Sequence, residues 1–290
     1  PWNSSNGYIC SKLSTAIAAG CTTVIKPSEM SAQQTELILE CLHEANLPKG
    51  VVNIVNGLGE IVGAEISRNP DIAKISFTGS TNVGKIIAKE AVNTMKRVTL
   101  ELGGKSPNII LDDADLSKAI PLAISAAFMN NGQACIAGSR LLIPKNKLEE
   151  AKLLIKETAS NLIVDDPKNP NTNIGPMVST KQYNRVQDYI QAGIDEGAEI
   201  LTGGLGKPEG LERGNFVKPT VFIHANNQMR IAKEEIFGPV LSVITYKTEE
   251  EAIEIANDTT YGLQAYLTSS NSERGHRVAS QLNAGRVQVN

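Results

Sequence analysis

Residues 72–104 read IAKISFTGSTNVGKIIAKEAVNTMKRVTLELGG, and this stretch decides the fold class. "IAKISFTG" is a short run of apolar and β-branched residues closed by Gly79, so it reads as a strand. "STNVGKIIAKEAVN" has apolar residues at helical spacing behind Ser80 or Thr81, either of which can cap a helix. "RVTLELGG" alternates and stops at a glycine pair, so it reads as the next strand. Strand, helix and strand in so short a span are the crossover unit of a parallel sheet. The same residues raise a question about a ligand. Gly79, Gly84 and Lys85 match most of the phosphate-cradling pattern G-x-x-x-x-G-K. That loop needs Ser or Thr after the lysine to bind Mg²⁺, and the position holds Ile86. The glycines therefore predict close backbone approach to a ligand without naming it.

The alternation continues on both sides. Upstream, "STAIAAG" reads as a helix end closed by Gly20, and "CTTVIKPS" as a strand stopped by Pro27. "SAQQTELILECLHEA" reads as a helix capped by Ser31, "VVNIVNG" as a buried strand, and "GEIVGAEISRN" as a short helix. The predicted first unit is a parallel sheet with helices on both faces. In such sheets ligands sit at the carboxyl ends of strands, where "KPSE", "NGLG", "FTGS" and "LELGG" all fall. Downstream, "SPNIILDDAD", "SRLLIPK", "GPVLSVITYKT", "YGLQAYLTSS" and "GRVQVN" read as strands. "DLSKAIPLAISAAFMNNG", with Pro121 near its first turn, "NKLEEAKLLIKETASNL" and "TKQYNRVQDYIQAGIDEG" read as helices. "DDPKNPNTNIGPMVS" reads as a loop. The fold class is α/β, with a domain boundary near Gly103 and Gly104, giving units 1–102 and 103–290.

Bulk properties narrow the function. Hydrophobic residues at 41% and charged residues at 20% are those of a soluble globular protein. The net charge of −3 has both signs interspersed and no basic patch, which argues against a nucleic-acid partner. No apolar run approaches the roughly 20 residues of a membrane span. The three histidines, His43, His224 and His276, show no metal-ligand spacing, so no metal is predicted. The four cysteines form no C-x-x-C, and reduced thiols in a cytoplasm are the simplest reading. The opening "PWNSSNGYIC" lacks the pattern of a signal peptide and an initiator Met, and the last residues stop within a strand. We read the chain as a segment of a longer protein.

Three side chains are candidates for chemistry. Cys135 in "NNGQACIAGSR" lies between a helix end and a strand among small neighbours that leave the sulfur accessible. The competing reading of any cysteine is a buried small hydrophobe, and Cys10, Cys21 and Cys41 receive it because they sit in apolar patterns. Glu101 lies between Leu100 and Leu102 before the glycine pair. It reads as a deep carboxylate with proton affinity raised toward that of a general base, against the alternative of a strand Glu in solvent. Asn3 in "PWN" offers a neutral amide donor for a developing oxyanion, though most such residues cap turns.

Together "PWN", "KPSE", "FTGSTNVG", "LELGGKSPN", "GQAC" and "EEIFGPV" occur in the order and spacing of the aldehyde dehydrogenase superfamily, and the chain resembles that family from Pro1 to Asn290. One departure is "SSN" after Asn3, where the family carries an apolar pair. The resemblance implies a Rossmann-like dinucleotide-binding domain, here partial, over 1–102 and a catalytic thiol domain over 103–290. It implies Cys135 as nucleophile, Glu101 as the base that activates water, and Asn3 as an oxyanion donor together with the Cys135 backbone N–H. Lys26 and Glu29 would bind the adenosine ribose, with Ser28, Gly59 and Leu102 in the same cofactor set. Gly79, Ser80 and Gly84 would face the pyrophosphate, Glu235 and Phe237 the nicotinamide-side ribose, and Trp2 would line the cleft. Lys85 then reads as a solvated helix residue. Glu101 favours hydrolysis to a free acid over acyl transfer to coenzyme A, and Glu29 favours NAD over NADP. The implied partners are a small aldehyde and, for the full-length protein, further copies of itself in a dimer or tetramer. The alternatives are a catalytically silent homologue and a P-loop nucleotide hydrolase.

Overall fold

The computed structural model describes residues 1–290. The chain divides into two compact units, Pro1–Leu102 and Gly103–Asn290.

The first unit opens with a 3₁₀ turn at Trp2–Ser4 and helix α1 (Ser5–Ala18). There follow β1 (Thr23–Ile25), α2 (Ala32–Glu44), β2 (Val52–Ile54), a π turn at Gly59–Gly63 that runs into α3 (Ala64–Arg68), β3 (Lys74–Thr78), α4 (Thr81–Val92) and β4 (Arg97–Glu101). The strands pair in parallel as expected, but as two separate pairs, β1 with β2 and β3 with β4. Each strand thus has one neighbour and an open edge. This is why β2 is only half-buried, contrary to the buried strand expected of "VVNIVNG". Leu37 on α2, Ile61 in the π turn and Val92 at the end of α4 are 60%, 65% and 68% exposed. Cys10, Cys21 and Cys41 are likewise exposed, which overturns their reading as buried hydrophobes. Ser31 stands at the N-cap position of α2, but its hydroxyl makes no cap bond there.

The second unit is a seven-stranded sheet flanked by helices. In chain order it contains β5 (Pro107–Ile110), α5 (Leu116–Phe128), β6 (Arg140–Pro144), α6 (Leu148–Ser160), α7 (Thr180–Asp195), β7 (Glu199–Thr202), β8 (Thr220–Ile223), α8 (Arg230–Lys233), β9 (Val240–Tyr246), α9 (Glu249–Asn257), β10 (Gln264–Thr268), α10 (Ser272–Ala279) and β11 (Arg286–Val289). The spatial order is β11-β10-β5-β6-β9-β8-β7, all parallel except the antiparallel β7–β8 pair. β7, β8 and helices α8–α10 were not anticipated from the sequence.

The central strands are apolar on both faces because both faces are covered. Ile110, Leu141, Ile143, Val221, Leu241 and Val243 point to one side and pack with α5 and α6. Ile109, Leu111, Leu142, Ala265 and Leu267 point to the other and pack with α9 and α10. α5 begins where the Asp115 carboxylate accepts the Ser117 N–H at 3.0 Å. It buries Leu116, Ala119, Ile120, Ala123, Ile124, Ala127 and Phe128, a stripe at three- and four-residue spacing. Each large side chain in it contributes roughly 1.5–3 kcal/mol of apolar burial. Pro121 lies inside this helix. Arg140, at 0% exposure, ties β6 to the end of α9 by donating to the carbonyls of Ile255 at 2.9 Å and Ala256 at 2.8 Å.

Candidate active site

In the second unit the site grows from the turn between α5 and β6. After α5 the chain reverses through three left-handed residues, Asn130 (φ 48°), Asn131 (φ 59°) and Gly132 (φ 69°). Asparagine tolerates this region better than other residues with a Cβ. At Gly132 there is no tolerance, because a Cβ would lie 2.2 Å from the Gly238 carbonyl oxygen. The side chains of the turn then fasten the 165–178 loop. Asn131 accepts the Gly175 N–H at 2.9 Å and donates to the Pro176 carbonyl at 3.3 Å, and Gln133 accepts the Val178 N–H at 3.0 Å. Cys135 follows, half-buried, at the N-terminal side of β6. The next carbonyl, that of Ile136, accepts the Tyr266 hydroxyl at 2.9 Å. Gly104 supports the cysteine from below, since a Cβ there would stand 2.2 Å from the Cys135 carbonyl oxygen.

The same glycine pair holds a second candidate side chain. The Gly104 N–H donates to Glu235 Oε1 at 3.2 Å, and a Cβ on Gly103 would meet Glu235 Oε2 at 2.2 Å. Burial raises the proton affinity of Glu235, and the Gly104 N–H and then the charges of Lys105 and Arg185 oppose the rise. Its loop is clamped by α7. Gln182 Nε2 donates to the carbonyls of Ile236 at 3.0 Å and Phe237 at 2.8 Å, and Arg185 Nη2 donates to the Glu235 carbonyl at 2.6 Å. Phe237 is held at φ 63°, a costly conformation for an aromatic residue that this clamp sustains. Tyr189 completes the clamp. Its ring lies under the guanidinium groups of Arg185 and Arg230, at 5.1 and 5.2 Å, and its hydroxyl donates to Glu234 Oε2 at 2.7 Å. Gln182, Arg185 and Tyr189 were missed from the sequence. The signal available was one polar stripe at i, i+3 and i+7 on an otherwise apolar helix face.

The first unit carries the remaining candidates. Lys26 Nζ spans the ends of β1 and β2, donating to the carbonyls of Pro27 at 2.8 Å and Gly57 at 2.9 Å, with Glu29 Oε2 at 3.4 Å. All three of its donors are engaged, and the Glu29 contact is the longest and the easiest to exchange for a hydroxyl. Glu29 is exposed, and its proton affinity is lowered first by a hydrogen bond from its own backbone N–H and also by Lys26. Ser28 Oγ accepts the Met30 N–H at 3.3 Å, and Gly59 opens the π turn with open space around its Cα.

Ser80 caps α4 through its hydroxyl, which accepts the Val83 N–H at 3.4 Å. The Gly79 N–H is engaged by the Glu101 carbonyl at 3.0 Å. Gly84 is buried, its N–H bonds the Ser80 carbonyl at 3.0 Å, and a Cβ would lie 2.4 Å from Leu102. Gly84 therefore serves close packing of helix on strand, and its amide is spent inside the helix rather than turned toward an anion. Lys85 is exposed. Trp2 and Asn3 are half-buried in the opening 3₁₀ turn.

Glu101 departs from expectation. It is exposed, because the alternation of β4 puts Val98 and Leu100 on the covered face and Arg97, Thr99 and Glu101 on the other. Its field reaches the ammonium of Lys12, where burial lowers the proton affinity and Glu101 counters it. No group of three or more His, Cys, Asp or Glu side chains is placed to hold a metal ion, and no helix is long and apolar enough to cross a membrane.

The family model described as "Aldehyde dehydrogenase family" matches residues 1–290. The 3-succinoylsemialdehyde-pyridine dehydrogenase of a Pseudomonas species is 48% identical over 290 residues, which are 100% of this chain and 61% of that protein. A mutant of aldehyde dehydrogenase C from Pseudomonas syringae, solved with NAD⁺ and octanal, superposes with a TM-score of 0.99 at 48% identity over 100% of this chain and 60% of its own. The aldehyde dehydrogenase of Mycobacterium tuberculosis in complex with NAD⁺ gives 0.97 at 42% identity over 100% of this chain and 59% of its own. The chain thus spans about three fifths of the length of the relatives it matches. With a cysteine seated on Gly104, a carboxylate on the Gly103–Gly104 pair and a family match along its whole length, the chain belongs to the aldehyde dehydrogenase family.

Proposed function

We propose that the protein oxidises an aldehyde to a carboxylic acid with NAD⁺, using Cys135 as nucleophile and Glu101 as the base that activates water. The observation that carries the reading is the seating of Cys135. Its turn is immobilised by three left-handed residues, by Gly104 and by the 165–178 loop, while the residue keeps access to solvent. A nucleophile needs this combination of fixed geometry and open approach.

The chain's residues fit a dinucleotide. α4 is a helix of 12 residues with a serine cap, and the N–H groups of its first turn favour an anion such as a pyrophosphate beside Gly79 and Ser80. Lys26 and Glu29 can hold ribose hydroxyls, Glu29 would repel a 2′-phosphate, and Trp2, Ser28, Gly59 and Leu102 complete the proposed cofactor set. Glu235 and Phe237 can hold the second ribose. NAD⁺, when bound, supplies the acceptor for the hydride. Relatives at 42–48% identity solved with NAD⁺ support this assignment.

The thiolate of Cys135 adds to the aldehyde carbon, forming the C–S bond while the carbonyl oxygen takes up charge. The Cys135 backbone N–H and the Asn3 amide donate to that oxygen, each worth roughly 3–4 kcal/mol where such donors have been removed in other enzymes. After oxidation the acyl group remains on sulfur as a thioester. Glu101 takes a proton from water, the hydroxide adds to the acyl carbon, and the C–S bond breaks to return the thiolate.

The test is an aldehyde panel that includes octanal and a semialdehyde, given to the full-length protein and followed at the NADH absorbance band with NAD⁺ and NADP⁺ in parallel. Turnover with NAD⁺ is expected, and Cys135→Ala abolishes it. Undiminished turnover in that variant would falsify the assignment of the nucleophile.

A further inference from the structure

Lys105 is 1% exposed, and its Nζ has no hydrogen-bond partner. A buried ammonium without a partner is costly, and a neutral residue of similar volume would cost less, so its retention calls for a reason. Its surroundings supply one. The residue follows Gly104, whose N–H holds Glu235 Oε1 at 3.2 Å. Its own carbonyl accepts Arg140 Nε at 2.9 Å, which fixes the backbone at this point. The anions whose fields reach the ammonium are Glu235 first and then Glu234, with Arg140 as the opposing cation. Seen from Glu235, Lys105 is the strongest charged partner, ahead of Arg185 on α7. The other titratable group in the neighbourhood is Tyr261 before β10, whose proton affinity burial and then Glu235 raise.

We propose that Lys105 is a positioning residue, whose buried ammonium keeps the Glu235 carboxylate ionised and seated on the Gly103–Gly104 backbone. The inference rests on the reading of Glu235 as a ligand of the nicotinamide-side ribose. An ionised carboxylate accepts hydrogen bonds from both ribose hydroxyls, whereas a protonated one gives up one acceptor site to its own proton. Burial pushes Glu235 toward the protonated form. The Gly104 N–H offsets this with one bond, and Lys105 offsets it with charge. Burial in turn lowers Lys105 to about 7, so its support is strongest in acid and fades as pH rises. Acid is where Glu235 needs it, since at high pH the carboxylate is ionised unaided.

The sign of the effect follows. Replacing Lys105 by a neutral side chain raises the pH at which Glu235 loses its proton. NAD⁺ binding then weakens below that pH and converges on wild type above it. The loss on the acid side grows with that rise, tenfold for each tenfold change in the proton affinity of Glu235. A merely structural role for Lys105 would weaken binding equally at all pH values.

The experiment is a double-mutant cycle on the full-length protein with Lys105→Met, Glu235→Gln and the pair. NAD⁺ affinity is measured by titration calorimetry from pH 5.5 to 8.5, with the thermal midpoint as a check on folding. Lys105→Met should lose up to tenfold in affinity at pH 5.5–6.5 and little at pH 8.5, and should add nothing in the Glu235→Gln background. A pH-independent loss, or losses that multiply in the double variant, overturns the proposal. Should Lys105→Met fail to fold, Lys105→Gln runs the same cycle. Glu235→Gln alone with wild-type affinity would instead overturn the assignment of Glu235, so the two failures are distinguishable.

Discussion

Gly104→Ala is the substitution that tests the geometry of the site most directly. A methyl group at this position would stand 2.2 Å from the Cys135 carbonyl oxygen. An ordinary contact begins near 3.4 Å, so the carbonyl must retreat by about 1.2 Å. The obstacle is backbone, so no rotamer change relieves it. Overpacking of this kind costs about 1–3 kcal/mol, or roughly 2–4 °C of melting midpoint per kcal/mol in a unit of this size. The catalytic cost is larger than the stability cost, because a displacement near 1 Å of a reacting group loses on the order of 10²-fold in rate. Gly103→Ala is the control. Its methyl would also meet an atom at 2.2 Å, but that atom is Oε2 of the flexible Glu235 side chain, which can swing away. Gly104→Ala should therefore lower kcat about 100-fold with KM for NAD⁺ little changed, and Gly103→Ala should raise KM for NAD⁺ with a smaller effect on kcat. Alkylation of Cys135 by iodoacetamide, read by mass spectrometry, gives a second measure of its displacement. A Gly104→Ala protein with wild-type kcat and wild-type alkylation rate would refute the reasoning.

Other outcomes follow from the clamp and from the charges at the far end of the sheet. Tyr189→Phe removes the hydroxyl that donates to Glu234 at 2.7 Å but keeps the ring against Arg185 and Arg230, so it should destabilise by about 1–2 kcal/mol in a denaturant titration. Tyr189→Leu should cost about 1 kcal/mol more, because it also loses both cation–π contacts. Arg274 pairs with Asp112 at 2.7 Å and with Glu249 at 2.8 Å. Its hydrogen bond holds Asp112 below the ordinary 3.8. A depressed carboxylate stabilises the fold above its unfolded value and loses that contribution as pH falls through the folded one. Arg274→Ala should thus lower the thermal midpoint at pH 6–7, with the gap to wild type closing below about pH 3.8. A gap that stays constant into acid would exclude the ion pair as its source.

What the sequence reveals and what it hides differ in physical kind. The β3–α4–β4 crossover was legible because periodicity and capping are local, and both appear in the residues that fold. The glycine pair was legible as a close approach, but not what approaches it, since Cys135 and Glu235 lie 31 and 131 residues downstream of Gly104. Glu101 was misjudged because alternation divides a strand into two faces without saying which one is covered. Gly84 was read as facing an anion, whereas Leu102 shows it to be a packing glycine. β7 and β8 went unread although β1 and β2, which were read, are shorter, so length alone does not hide a strand. Lys105 was invisible for a different reason. A lysine beside two glycines reads as a loop in water, and only the packing of β6 and the Glu235 loop around it shows otherwise.

The strand order has a consequence for how the chain is made. β5 is the first strand of its unit to leave the ribosome, yet one of its two neighbours is β10, which is about 150 residues further along. At about 5–20 residues per second, the flank of β5 that will receive β10 stays open for roughly 10–30 s of translation. During that interval Ile109 and Ile110, sealed from solvent in the finished protein, lie on an unpaired apolar edge. That edge is where a chaperone would do most good and where a slowed ribosome would do most harm.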